Sequence, residues 1–222
     1  DGYHYIVKFQ NNPQHRRILV NELVASVLLD YLQISTPETA LIEVPEQFLR
    51  DNPDVGLTLG TRRVPVAPGW HFGSRYPGDR CPMGVGPNVA VYEFMPDALL
   101  KQVVNAADFL GVLVFDKWAA NADGRQSIFY RALVRPAEAV ALPPKPGFVT
   151  RMIDHGFIFN GPHWEFADSP LQGIYPRHTV YERVGSLDDF QPWLDRVTRR
   201  TWRDAGALAL ARANQNNYPG RA

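Results

Sequence analysis

From about residue 16 to residue 32 the chain is apolar on almost every helical face. Its polar positions, Glu22, Ser26, Asp30 and Gln33, recur at spacings of four, four and three and make one narrow stripe. A helix buried on most faces has to pack between layers. The segment before it, residues 3–9, is rich in aromatic and β-branched residues and reads as a strand, and Asn11-Asn12-Pro13 supplies the turn between the two.

The rest of the chain follows the same logic. Residues 39–44 read as a strand and residues 45–50 as a short helix with proline in its first turn. Residues 56–87 are rich in Gly and Pro, with strand-like pieces at 57–59 and 63–66 but no assignment for the whole. An apolar strand is expected at 89–94, then a helix at 97–104 capped by Asp97. A second buried helix, 109–118, runs into a polar loop carrying acids, an amide and an arginine. Strands at 127–134 and 148–153 are expected to pair as a hairpin with a mobile, proline-rich tip. Ser186 is expected to cap a final helix whose inner face is Leu187, Phe190, Trp193, Leu194 and Val197, with residues 202–214 continuing or following it. Strands and one helix first, then mostly helices around a hairpin, indicate an α+β protein in two lobes hinged near 93–97.

Composition removes several function classes. A 222-residue chain with 45% hydrophobic residues is long and apolar enough to bury a core. Its 23 basic and 23 acidic residues cancel, so no global field favours nucleic acid or an acidic membrane. The best local basic group, Arg196, Arg199, Arg200 and Arg203, has the spacing of a solvated helix face. One cysteine, Cys81, excludes an internal disulfide framework and fits a reducing, cytoplasmic setting. No apolar run approaches the ~20 residues of a membrane span. The start at Asp1, without methionine and entering a strand at once, suggests a fragment or a processed end. The histidines lack paired spacing such as His-x-x-x-His, and neither Gly-x-Ser-x-Gly nor a Gly-Lys-Ser/Thr phosphate loop occurs.

The remaining chemistry is acidic and cationic. Alone, Lys8 reads as the polar face of a half-buried strand and Glu22 as a solvated helix acid. Together they make a phosphate-binding lysine with its orienting glutamate. Asp116 and Asp123 compete for the role of base. Asp116 stands five residues before Asn121 but near the end of the buried helix, whereas Asp123 lies in the loop beside Gly124, freer to meet a hydroxyl. Arg125 offers either a lowered Asp123 pKa, a phosphate contact or an ordinary loop salt bridge. Asp154, followed by His155-Gly156, ends a strand at a sharp turn and is a candidate Mg²⁺ ligand, since Mg²⁺ takes oxygen ligands, usually with only one or two carboxylates among them. His155 reads as a packing or hydrogen-bonding residue.

In this order, with Tyr92-Glu93-Phe94 between the helices and Asn121-Ala122-Asp123 in the loop, the residues resemble the HipA-like branch of the protein-kinase-like fold, which is also similar to phosphatidylinositol kinases. The resemblance covers residues 3 to about 194. Its most specific pieces are residues 5–12 with Asn21-Glu22, and residues 115–129. It implies a two-lobed kinase-like fold, with a small N-lobe truncated at its start (residues 1–95) and a mainly helical C-lobe (residues 96–222).

The resemblance further implies ATP and Mg²⁺ as cofactors. Lys8 would bind the α/β-phosphates and Glu22 would orient it. Glu93, Phe94 and Met95 would meet adenine through backbone groups. Asp123 would act on the acceptor hydroxyl of a protein Ser/Thr or a small molecule, and Asp154 would hold the metal. The loop departs from the family pattern Gly-Asn-x-Asp-Arg-His followed by Asn. Gly124-Arg125 replaces Arg-His, and Ile128 stands five residues after Asp123, so Gln126 fills the metal-amide position if the loop is two residues shorter. A catalytically inactive nucleotide- or protein-binding pseudokinase and an AMP transferase are the alternatives on the same fold.

Overall fold

The computed structural model describes residues 2–78, 80, 86–134, 143–166 and 169–198. Within them, a mixed α/β architecture is built on small antiparallel sheets. Strand β1 (Tyr5–Lys8) pairs with β5 (Gly69–Arg75), whose other edge carries β2 (Thr39–Val44), giving the order β1-β5-β2. Lys8 stands opposite Phe72, and Ser74 lies between Ile6 and Thr39. The central strand therefore comes from the Gly/Pro-rich stretch that sequence periodicity leaves unassigned. It fits there because Gly73 is bare: a Cβ at that position would lie 2.5 Å from Ile42 Cγ1. Before it come a short helix, α2 (Glu46–Asp51), and a separate hairpin, β3 (Gly56–Leu59) with β4 (Arg62–Pro65).

Helix α1 (Arg16–Tyr31) is buried as its composition demands, with Ile18, Ala25, Leu28 and Leu29 sealed from solvent. Its start is unusual. His15 sits in the left-handed region (φ 79°), and its Nδ1 accepts the amide of Arg17 at 3.1 Å. It ends with Gln33 in the left-handed region (φ 58°) while Ile34 donates back to Leu29, a turn that satisfies late helix carbonyls.

The third sheet has the order β6-β7-β8, formed by β6 (Val91–Tyr92), β7 (Gln126–Val134) and β8 (Lys145–Ile153). The expected strand at 89–94 thus shortens to two residues. The helix expected at 97–104 closes after one turn as α3 (Asp97–Leu100), because Val104 leaves to bond the carbonyl of Phe148. Asp97 lies in its first turn and Pro96 is the cap. Helix α4 (Asp108–Trp118) and α5 (Gln191–Thr198) complete the set, with 3-10 turns at His178–Tyr181 and Leu187–Phe190. Among the described residues, the second half is not clearly mainly helical, as had been expected of it. Its longest elements besides α4 are the two nine-residue strands β7 and β8.

One core joins these parts. Leu28 and Leu29 of α1, Phe109, Val112 and Phe115 of α4, Phe129 of β7, Met152 of β8, Tyr175 and Trp193 belong to a single buried cluster. Each such side chain contributes about 1.5–3 kcal/mol on burial. Gly111 admits α5, since a Cβ there would lie 2.4 Å from Trp193 Nε1. Ser186 caps as expected, but it caps the 3-10 turn before α5, and Leu187 is 80% exposed, not an inner-face residue. Arg196 is not a solvated-face residue either. It bonds the Leu32 carbonyl at 2.9 Å and Gln33 Oε1 at 2.7 Å, tying α5 to the end of α1. Cys81, the hairpin tip at 135–142, Arg199, Arg200, Arg203 and residues 202–214 lie outside the described residues.

Candidate functional site

Lys8 ends β1, and α1 passes with Glu22 on its polar stripe. The Lys8 ammonium bonds Glu22 Oε1 and, at 2.7 Å, Asp154 Oδ1. Three residues distant in sequence thus share one contact. Asp154 follows β8 in the left-handed region (φ 58°), which swings its carboxylate off the sheet edge toward Lys8. The next amide, His155 N, donates to Glu22 Oε2 at 3.1 Å, so Glu22 is held from both sides.

Burial opposes the charge on Lys8, but Glu22 and Asp154 outweigh it and hold the pKa above the ordinary lysine value. For Asp154, burial pushes the pKa up, yet the Lys8 hydrogen bond and charge hold it below the usual carboxylate value. Glu22 is more deeply enclosed, and its desolvation lifts it above the usual value despite Lys8. The arrangement keeps one cation and one firmly ionised carboxylate at the mouth of a recess.

Beneath it lies a second, sealed network. Arg125 donates through Nε to Asp116 Oδ2 at 2.8 Å and through Nη2 to Asp116 Oδ1 at 2.5 Å. Its Nη1 donates to the Ile153 carbonyl at 2.7 Å and meets His155 Nδ1 at 3.0 Å. Asn121 Nδ2 adds a bond to Asp116 Oδ1 at 2.9 Å. With Nδ1 accepting from the guanidinium, the His155 proton belongs on Nε2, which faces the Met152 carbonyl at 3.1 Å. Burial, then the Arg125 charge, hold His155 well below the usual histidine pKa. Burial raises Asp116, against the pull of Arg125.

Arg125 therefore neither pairs with Asp123 nor faces a phosphate. It bolts the end of α4 to the residues that flank Asp154. Asp116 is a structural anchor, and Asp123 is left half-buried in the loop, where its Oδ1 accepts the Gly124 amide at 2.7 Å and its own amide donates to Asn121 Oδ1 at 3.2 Å. Gln126 opens β7 opposite Ile153, and that register carries its amide to Asp154, Nε2 to Oδ2 at 3.1 Å.

A cavity of about 290 Å³ lies in front of Lys8, close to the lower limit of ordinary ligand pockets. Ile6 and Phe72 from the first sheet and Ile128 and Ile153 from the third supply apolar walls. Tyr76, Pro77, Val91 and Glu93 also line it, where the chain passes between the sheets, and Lys8, Glu22 and Asp154 are its charged lining besides Arg75 and Glu93. Of the expected adenine-binding segment, Glu93 lines the cavity. Phe94 is 65% exposed beneath the Arg177 guanidinium, and Met95 is buried in the core with its carbonyl accepting from Arg177 at 3.2 Å. Neither Phe94 nor Met95 is part of the lining.

The model of the HipA-like kinase family matches residues 1–129, more than half of the chain. The chain belongs to the HipA-like kinase family. No curated protein and no solved structure matches it. Membership points to a kinase-like function for the chain, and the matched region contains Lys8, Glu22, Glu93, Asp123 and Gln126. Asp154 lies beyond it, so its place in the site rests on the contact with Lys8.

Sequence reasoning assigned no role to three residues in or around this candidate site. Asn21 is completely buried, and a fully enclosed amide inside an apolar helix was the available signal. Arg177, which bonds Met95 and Asp97 and covers Phe94, gave no signal in sequence. Ser74 belongs to the strand that periodicity did not reveal. Among the described residues, no group of three or more His, Cys, Asp or Glu side chains is placed to hold a metal alone, and no helix is long and apolar enough to cross a membrane.

Proposed function

We propose that this chain is an ATP- and Mg²⁺-dependent phosphotransferase whose acceptor is a hydroxyl, of a protein Ser/Thr or a small molecule. The observation that carries the reading is the three-way contact of Lys8 with Glu22 and Asp154 at the edge of a cavity. In this reading residues 1–95 form a small lobe and residues 96–222 a larger one, with the nucleotide between them. Adenine lies toward Tyr76, Pro77 and Glu93 and the phosphates toward Lys8.

The donor set fits the metal. Mg²⁺ is usually held by one or two carboxylates together with substrate phosphates and water, and Asp154 with the Gln126 amide oxygen offers such a pair. A Mg²⁺ ion held by these residues would supply positive charge to offset that of the nucleotide phosphates. Lys8, held charged by its two acids, takes phosphate oxygens, and Glu22 keeps it aimed. Asp123 orients the acceptor hydroxyl and accepts its proton as the oxygen bonds the γ-phosphorus. The bond from that phosphorus to the bridging oxygen breaks and ADP leaves. Positioning and electrostatics supply the acceleration, so these few residues carry most of it.

A second reading, a nucleotide-binding module without turnover, is favoured by Ile128, an apolar wall of the cavity standing five residues after Asp123. Incubation with γ-labelled and, separately, α-labelled ATP separates the readings. Label transferred from the γ position by the wild type but not by Asp123→Asn supports the phosphotransferase. Label from the α position indicates AMP transfer, and nucleotide binding with no transfer indicates the inactive module.

A further inference from the structure

Residues 156–161, the turn that follows Asp154, touch both the helix that carries Glu22 and the loop that carries Asp123. On one side, Phe159 N and Asn160 N donate to the carbonyls of Ala119 and Ala120 at 2.7 and 3.0 Å, and Ala122 N donates to the Phe157 carbonyl at 3.0 Å. Those bonds hold the loop that presents Asp123. On the other side the turn presses on α1, where a Cβ at Gly156 would lie 2.4 Å from Ile18 Cγ2. Between the two stands Asn21, the residue next to Glu22. Its Nδ2 faces the carbonyls of Gly156, Ile158 and Gly161 at 2.7, 3.0 and 3.0 Å, and its Oδ1 accepts from Trp164 Nε1 at 3.1 Å.

We infer that Asn21 is a positioning residue: it pins the 156–161 turn to α1, and through that turn fixes Glu22, Asp154 and the Asp123 loop relative to one another. The amide is fully buried, so its bonds face no competition from water. It meets three carbonyls of one turn at once, which no aliphatic residue of that size does. Arg17 closes the same seam from outside, bonding the Pro162 carbonyl at 2.7 Å and lying 4.6 Å above the Trp164 ring. Without the pin, α1 and the turn are joined near the site by the Glu22–His155 bond and by packing at Gly156. Glu22 then loses its fixed distance to Asp154, and Lys8 is no longer shared between them.

The inference concerns the geometry of the site, and it uses the nucleotide reading only for its functional readout. The test compares Asn21→Leu with Leu29→Val, a control that trims a fully buried core residue of the same helix. Hydrogen exchange across residues 155–161 is measured, together with Mg²⁺-ATP affinity, at conditions where both proteins are folded. Asn21→Leu is expected to speed exchange of that turn roughly tenfold beyond the control, the scale of a lost buried hydrogen bond. It is also expected to weaken Mg²⁺-ATP at least about fivefold, the lower end of ordinary coupling between sites, while the control binds as the wild type does. Asn21→Ser, which keeps a small donor, is run alongside with the same expectations at smaller size, so a failure of Asn21→Leu to fold leaves the comparison intact. Equal exchange in variant and control overturns the inference. So does faster exchange with unchanged affinity, which reduces Asn21 to a structural residue. A wild type that binds no Mg²⁺-ATP contradicts the nucleotide reading instead, and the exchange comparison then decides for or against the pin.

Discussion

Arg125 grips Asp116 with two parallel hydrogen bonds, and both side chains are sealed completely from solvent. Such a fork-to-carboxylate pair is directional and, once buried, intolerant of losing one member. Arg125→Met leaves the Asp116 carboxylate enclosed with Asn121 as its remaining side-chain partner, and is expected to destabilise by about 3–5 kcal/mol. Asp116→Leu together with Arg125→Met removes both charges and is expected to cost less than Arg125→Met alone. Urea unfolding of the single and double variants checks this, and a double variant weaker than the single contradicts it.

Gly156 is required by proximity, not by backbone angle. Gly156→Ala places a methyl 2.4 Å from Ile18 Cγ2 and 3.4 Å from Glu22 Oε1, forcing α1 away from the Asp154 turn. A loss of about 1–3 kcal/mol is expected from overpacking. Ile18→Leu removes the offending branch, so the pair Gly156→Ala/Ile18→Leu is expected to recover part of it in a thermal melt.

His71 gives the first sheet a pH dependence. It is buried on β5, with Nδ1 accepting the Gln10 amide at 2.9 Å and, among the described residues, no hydrogen-bond partner for Nε2. Burial lowers its pKa from 6.5, although the Ala67 backbone pulls the other way. The unfolded chain therefore takes up the proton first as pH falls. The stability this histidine contributes is present above pH 6.5 and is lost as pH drops from there through the folded pKa. His71→Asn keeps an acceptor near the Nδ1 position but does not titrate. Below pH 6.5 its stability is expected to fall less steeply than that of the wild type, with about 1.4 kcal/mol per pH unit as the ceiling for one proton. Parallel slopes in urea titrations at several pH values contradict this.

Gln126 is the residue through which the altered loop still reaches Asp154, the proposed metal ligand. Gln126→Leu is expected to reduce the thermal shift given by Mg²⁺-ATP while leaving any shift from ATP with a chelator unchanged. A native-state ligand raises apparent stability in proportion to its affinity, so the two shifts report the metal contribution. Equal losses under both conditions remove Gln126 from the metal site.

What sequence could supply follows from what periodicity encodes. Helices α1 and α4 and the β7–β8 hairpin were legible because their apolar spacing is set by burial. Lys8, Glu22 and Asp154 were legible as candidates because each sits in, or directly after, an element that sequence marks clearly: Lys8 ends β1, Glu22 lies within α1 and Asp154 follows β8. Strand β5 was not, since Gly69 and Gly73 interrupt any alternation and its fit depends on Ile42 filling the space above Gly73. Of the readings left open for Arg125 a salt bridge is the one that forms, but sequence places it beside Asp123, whereas the loop folds it inward to Asp116, nine residues earlier. Gln126 looked out of place by count along the loop. The register of Gln126 against Ile153 puts it beside Asp154, and register is a property of pairing, not of spacing.

In the proposed function, Lys8 and Asp154 together receive a metal-bound nucleotide. Isothermal titration of Mg²⁺-ATP into the wild type, Lys8→Met and Asp154→Asn, each shown to be folded by circular dichroism, tests it most directly. Saturable binding at one site is predicted for the wild type. Each variant is predicted to bind at least about tenfold more weakly, the effect of losing one charge-assisted contact. A wild type that does not bind, or variants that bind as tightly as the wild type, would contradict the account.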